Sequence, residues 1–169
     1  GKEDPHFRQD PRDRSGNAKI GIDYKIVTKQ STHLVMLRDI LTSSIGIHKA
    51  LCKGAADRWV VKRLLRDVEN TGHVRIALKG DGEPAMQDVI REVKNQRRQP
   101  TTLQDPPGND PQSNGRAEQT VGAVKMKTVS VLVGLGLKLG KRLPWSHPIT
   151  GWAAQHVADC MNIYILHNG

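Results

Sequence analysis

Alternation of apolar and polar residues begins at residue 19. In KIGIDYKIV (19–27), Ile20, Ile22, Tyr24 and Ile26 fall on one side of a strand, so Asp23 points to the other. HLVMLRDIL (33–41) and GIHKALCKG (46–54) read as two further strands joined by short turns, an antiparallel meander. The period then changes. In residues 55–72, Val61, Leu64, Leu65 and Val68 recur at helical spacing, and Gly72 stands where a C-terminal cap belongs. HVRIALKG (73–80) predicts a fourth strand, PAMQDVIREVKNQ (84–96) a helix opened by Pro84, and TTLQ (101–104) a short fifth strand. Residues 105–115, DPPGNDPQSNG, predict a flexible loop. A long helix follows, marked by Ala117, Val121, Val124, Thr128, Val131 or Leu132, and Leu135, with Asn114 as its N-cap. A last helix is expected over about residues 145–165. The order βββ-α-β-α-β-α-α predicts an α/β protein. Its five-stranded mixed sheet has the first three strands antiparallel and is flanked by helices.

Residues 1–18 are polar and without hydrophobic period, and read as a linker or tail preceding one domain over 19–169. A chain of 169 residues suits one core. Aromatics are 4% of the chain, so that core must be aliphatic. The 26 Lys and Arg against 17 Asp and Glu leave a net charge of +9, which suits a polyanionic partner through counterion release. Cys52 and Cys160 show no CxxC pairing and give no disulfide framework or zinc knuckle. His156 and Cys160, four apart, lack a second ligand pair. No apolar run approaches the ~20 residues of a bilayer span. The longest, 129–137, is broken by Ser130, Gly134 and Gly136, and no secretory signal opens the chain, so a soluble intracellular protein is expected. Opening on Gly1 and stopping abruptly, the sequence reads as a piece of a longer polypeptide.

Three acids occupy telling positions: Asp23 in mid-strand, Asp81 directly after the fourth strand, and Glu118 in the first turn of the helix after the loop. Singly, each has an ordinary explanation: a paired strand charge, an Asp-Gly turn, a carboxylate at a helix N-terminus. Together they match a chemistry. Phosphodiester cleavage and transfer uses two divalent ions roughly 3.5–4 Å apart, held by hard oxygen ligands converging from separate elements.

The segments IGIDY around Asp23, RIALKGDGEPA around Asp81 and PPGNDPQSNGRAEQTV around Glu118 resemble the DDE core of retroviral and long-terminal-repeat retrotransposon integrases, in the ribonuclease-H-like superfamily. The 36 residues from 82 to 117 lie close to the thirty-five for which that motif is named. The resemblance runs from about residue 19 to the last helix. It implies a ribonuclease-H-like fold and catalytic, metal-binding Asp23, Asp81 and Glu118. It also implies two Mg²⁺ or Mn²⁺ ions and 3′-end processing and strand transfer of element DNA into target DNA. Asn114, Arg116 and Lys125 become candidate DNA contacts, DNA ends and a target duplex the partners, a homo-oligomer (dimer or higher) the working state, and the nucleus the place of action. Lys79 and Gly82 flank Asp81 where the family often carries Thr or Ser and Asn or Ser. Gly122 stands where a Lys is frequent. The His/Cys zinc domain and the small C-terminal DNA-binding domain of the family lie outside these residues.

Two rivals remain. A domesticated relic serving as a nucleic-acid-binding or multimerisation module would have lost an acid, and all three are present. A ribonuclease-H hydrolase would show a fourth acidic ligand and no PQSNG loop. Glu83 rivals Asp81 as the second acid. Lys125 and Lys127 fit a solvated helix face as readily as a phosphate contact, and Arg91, Lys94, Arg97 and Arg98 fit the negative end of their helix.

Overall fold

A computed structural model describes residues 12–26, 33–104 and 111–167, with the side chains of Ile26, 111–119 and 165–167 not described. The elements are β1 (Ala18–Ile26), β2 (His33–Asp39), β3 (Ile45–Ala50), α1 (Arg58–Asn70), β4 (Ile76–Lys79), α2 (Pro84–Gln96), β5 (Thr101–Gln104), α3 (Pro111–Leu139) and α4 (Ile149–His167). They form a five-stranded sheet in the order β3-β2-β1-β4-β5, antiparallel from β1 to β3 and parallel from β1 through β4 to β5. This is the mixed α/β sheet that the residue pattern predicts.

Each sheet face has its own core. Ile20, Ile22 and Tyr24 of β1, Val35 and Leu37 of β2, and Ile76 and Leu78 of β4 pack against Val60, Val61, Leu64 and Val68 of α1 and Met86, Val89, Ile90 and Val93 of α2. On the reverse, Leu34 and Met36 of β2 and Ile45 and Ile47 of β3 meet Val124 of α3 and Ala154, Val157 and Ala158 of α4. The unbroken apolar run of β2 reflects burial on both faces. β1 presents Lys19, Gly21, Asp23 and Lys25 to this second side, so nothing apolar draws a helix over it. α3 and α4 therefore sit toward β2 and β3, and among the described residues this face of β1 is an open floor that joins neither core.

Element ends differ from the sequence reading where side chains capture backbone groups. Asp39, fully buried, accepts from the Leu41 amide and the Thr42 hydroxyl, stopping β2 there. Its carboxylate also meets His73 Nε2 at 2.7 Å. The Leu51 amide leaves the sheet to donate to Asp57, which also caps α1 through Val60 N. Gly72 does follow α1 with φ of +72°, a left-handed conformation open to glycine. α3 begins at Pro111, where a missing N–H costs nothing. Asn114 is thus inside the helix rather than its N-cap. Of the expected loop, 105–110 lies outside the described residues, and 111–115 is helical. α4 begins after Pro148, which disfavours helix at His147. Before β1, Arg12 bridges Ala18 and Asp13 accepts from the Ser15 and Asn17 amides, so structure reaches back into the expected tail.

One expectation on hydropathy is corrected. Among the described residues, Thr120–Leu139 is long and apolar enough to cross a membrane by length and composition. Its Val124, Thr128 and Leu132 are buried in the fold, while Met126, Val133 and Leu137 are exposed. A helix interrupted by Ser and Gly still sums to a high hydropathy.

Arg97 shows what the basic cluster at the end of α2 does. It is buried, and its guanidinium donates to the carbonyls of His73, Val74, Gln99 and Pro100 and to Thr101 Oγ1. By taking the His73 and Val74 carbonyls it delays the start of β4 and ties the entries of β4 and β5 together. Burial lowers its pKa from the usual arginine value, with Glu69 opposing. Removing it takes the donor from several part-buried carbonyls and leaves a cavity where the buried guanidinium lay. Arg97→Ala is expected to cost about 3 kcal/mol and to lower Tm by about 6–12 °C, measured by thermal denaturation. A loss under about 0.5 kcal/mol contradicts the staple role.

Candidate active site

The open floor is built by the β1–β4 pairing. In this parallel ladder Ile20 lies beside Leu78 and Gly21 beside Lys79. The same offset, carried two residues past the end of β4, brings Asp81 level with Asp23. Parity puts both on the face away from Ile22 and Leu78. Gly80 leaves room for α2 beneath the turn: a Cβ there would stand 2.9 Å from Met86 Cγ, while the Ile22 carbonyl oxygen of β1 would be at an ordinary 3.4 Å. The two carboxyl groups are near enough to act on each other electrostatically.

Their surroundings are asymmetric. Asp23 is half-buried and ion-paired with Lys25, two residues along the same face, at 2.5 Å. Asp81 heads a turn in which its Oδ1 accepts from the Glu83 amide at 3.1 Å and its carbonyl accepts from Gln87 Nε2. Partial burial of its carboxyl group, and then the charges of Asp23 and Glu83, push Asp81 above the usual aspartate value of 3.8. The Glu83 amide opposes them. Two neighbouring acids with only oxygen atoms to offer fit a divalent cation such as Mg²⁺ or Mn²⁺, which prefers hard oxygen ligands and relieves their repulsion.

Glu118 lies in α3, and its side chain, like those of Asn114 and Arg116, is outside the described residues. The helix that carries it is anchored close by. Arg38 Nη1 donates to Thr120 Oγ1 at 3.1 Å. Arg38 pairs with Gly21 on β2 and so stands on the Asp23 face. Lys125 is exposed on α3, seven residues or two turns beyond Glu118, on the same stripe of the helix. Among the described residues, no three His, Cys, Asp or Glu side chains converge as a metal site. His156 and Cys160 stand 3.7 Å apart, with His156 stacked on Trp152.

Sequence reading missed Lys25 and Lys53. The Lys53 ammonium pairs with Glu83 Oε1 and lies 5.5 Å from the Tyr24 ring centre. Glu83, the rival for the second acid, is thereby engaged away from Asp23. No local signal in the sequence joins position 53 to position 83.

Similar architectures are found among solved structures. A chain of the simian T-cell lymphotropic virus intasome in complex with PP2A regulatory subunit B56 gamma matches 84% of this chain at 17% identity, with a TM-score of 0.57. The catalytic core domain of BIV integrase matches 83% at 14% identity and TM-score 0.55, and 80% of that chain is covered. The HTLV-2 integrase catalytic core domain in complex with magnesium, a trimeric form, matches 84% at 14% identity and TM-score 0.56, with 82% of that chain covered. The fold is that of a retroviral integrase catalytic core. It spans 47% of the intasome chain, about half its length. At these identities the likeness carries the ribonuclease-H-like architecture alone. No protein-family model and no curated protein matches the sequence.

A raised Asp81 pKa has a consequence for stability. The folded state favours the protonated acid more than the unfolded chain does, so the associated stability is present below the unfolded value and lost as pH rises through the folded one. Asp81→Asn removes that dependence. In the absence of divalent cations, Tm of Asp81→Asn should equal that of the wild type near pH 3 and exceed it by about 1–3 °C above the carboxylate range. A gap that is constant with pH, or reversed, contradicts the paired-acid geometry.

Proposed function

We propose that this chain catalyses metal-dependent polynucleotidyl transfer on DNA, as the catalytic core of an integrase of the retroviral or retrotransposon kind. The observation that carries the reading is the offset of the β1–β4 ladder, which brings Asp23 and Asp81 level on one face of the sheet, in a fold similar to integrase cores. Asp23 and Asp81 would hold the ions, with Glu118 completing the set from α3. When bound, two Mg²⁺ or Mn²⁺ ions supply Lewis-acid stabilisation of the attacking and leaving oxygens. One neighbour of this fold is a magnesium complex and another belongs to an intasome, which supports both the cation and a DNA-bound oligomer as the working assembly.

The chain's own part is positioning. Strand pairing sets the level of two carboxylates on a face of β1 that, among the described residues, joins neither apolar core. The net charge of +9 favours the polyanion, and Lys125, with Asn114 and Arg116 at the start of α3, would meet phosphates beside the acids. The nucleophile is water in 3′-end processing and a DNA 3′-hydroxyl in strand transfer, so no covalent protein–DNA intermediate forms. Action on chromosomal DNA places the protein in the nucleus.

The test is joining of a labelled DNA end to a target duplex with Mn²⁺, using the chain in its full-length context. Asp81→Asn and Glu118→Gln should each lose about 100-fold or more, close to 2.7 kcal/mol of barrier. Wild-type activity matched by Asp81→Asn would sink the catalytic reading. DNA binding without joining in any protein would favour the relic.

A further inference from the structure

The turn that carries Asp81 passes from the open floor, over the end of β4, to the opposite face of the sheet where α2 begins. Glu83, the residue before α2, is fastened on that opposite face. Its carboxylate accepts from Lys53 Nζ at 2.5 Å. That ammonium lies 5.5 Å from the ring centre of Tyr24, which is largely buried and accepts the Gly54 amide on its hydroxyl at 2.8 Å. The Glu83 amide in turn donates to Asp81 Oδ1. A chain of contacts results: Asp23 to its chain neighbour Tyr24, Tyr24 to the Lys53–Gly54 segment, Lys53 to Glu83, and Glu83 to Asp81, which the ladder offset sets level with Asp23.

We infer that Lys53 and Glu83 are positioning residues for the two-carboxylate centre, an ionic clamp that holds Asp81 level with Asp23 for metal binding. The inference rests on the metal-dependent reading of that centre. Without a fastening on the far side, two neighbouring acids would relieve their repulsion by swinging the Asp81 turn outward, because β4 ends at Lys79 and no ladder bond restrains the chain beyond it. The clamp opposes this from the far face, where it contributes no ligand. It also assigns Glu83 a role distinct from that of a third or substitute acid. Lys53 and Glu83 are both about one-third exposed, so their pairing contributes little to folding and its effect falls on geometry.

The experiment measures Mn²⁺ dissociation constants by calorimetry on the whole chain, for the wild type, Asp81→Asn, Lys53→Met, Glu83→Gln and the exchanged pair Lys53→Glu/Glu83→Lys. The two single clamp variants should bind Mn²⁺ about 10-fold more weakly, the range for partners that orient a metal ligand. The exchanged pair should recover most of the loss, which a residue needed only for folding would not do. Strand-joining kinetics should show the same pattern in the Mn²⁺ concentration for half-maximal rate, with KM for DNA unchanged. Singles that bind as the wild type does, or an exchanged pair no better than the singles, overturn the clamp alone. Wild-type binding that Asp81→Asn leaves intact, or no binding at all, overturns the functional reading and the clamp with it.

Discussion

Two carboxylates brought level on one face of a parallel strand pair form the constraint around which this molecule is organised. Asp23 and Asp81 repel when both are ionised, and nothing in local preference favours an aspartate in the middle of a strand. The fold supports the arrangement from several sides. The ladder offset sets their level, Gly80 leaves room for Met86 of α2 beneath the turn, and Lys25 pairs with Asp23.

The two faces of the sheet divide the labour. The side covered by α1 and α2 is a continuous aliphatic core, with Ile20, Ile22, Leu64, Ile76, Leu78, Met86 and Ile90 among its fully buried side chains. That core makes β1 and β4 rigid. The other side is apolar only over β2 and β3, where α3 and α4 settle, and the polar face of β1 is left bare. Rigidity beneath and openness above arise from the same alternation along β1: apolar at even positions from Ile20 to Tyr24, small or charged at Gly21, Asp23 and Lys25.

That alternation is why so much was legible in the sequence. Period two in β1 and period 3.6 in α1 and α2 are local signals, and α2 and β5 fall on the expected residues. The position of Asp81 beyond β4 was legible too. What was not legible depends on contacts distant in sequence. Asp57 drawing Leu51 out of β3, Arg97 taking the carbonyls ahead of β4, and Lys53 meeting Glu83 each join segments whose proximity exists only after folding. Asn114 was misplaced for a different reason. Two helix-start signals compete between 111 and 114, and the proline, compatible with a helix's first turn, prevails over the side-chain cap.

α3 is the element through which fold and chemistry meet, and its anchoring differs along its length. Val124, Thr128 and Leu132 bind its middle into the cores it shares with the sheet and α4. Toward its start, the anchor is Arg38 donating to Thr120, a polar contact over the face that bears Asp23. The side chain of Glu118, two residues before Thr120, lies outside the described residues. The two other acids are held in different ways: Asp23 within β1 and its ladder to β2, Asp81 beyond the last paired residue of β4, where the Glu83 amide and Gln87 steady its turn.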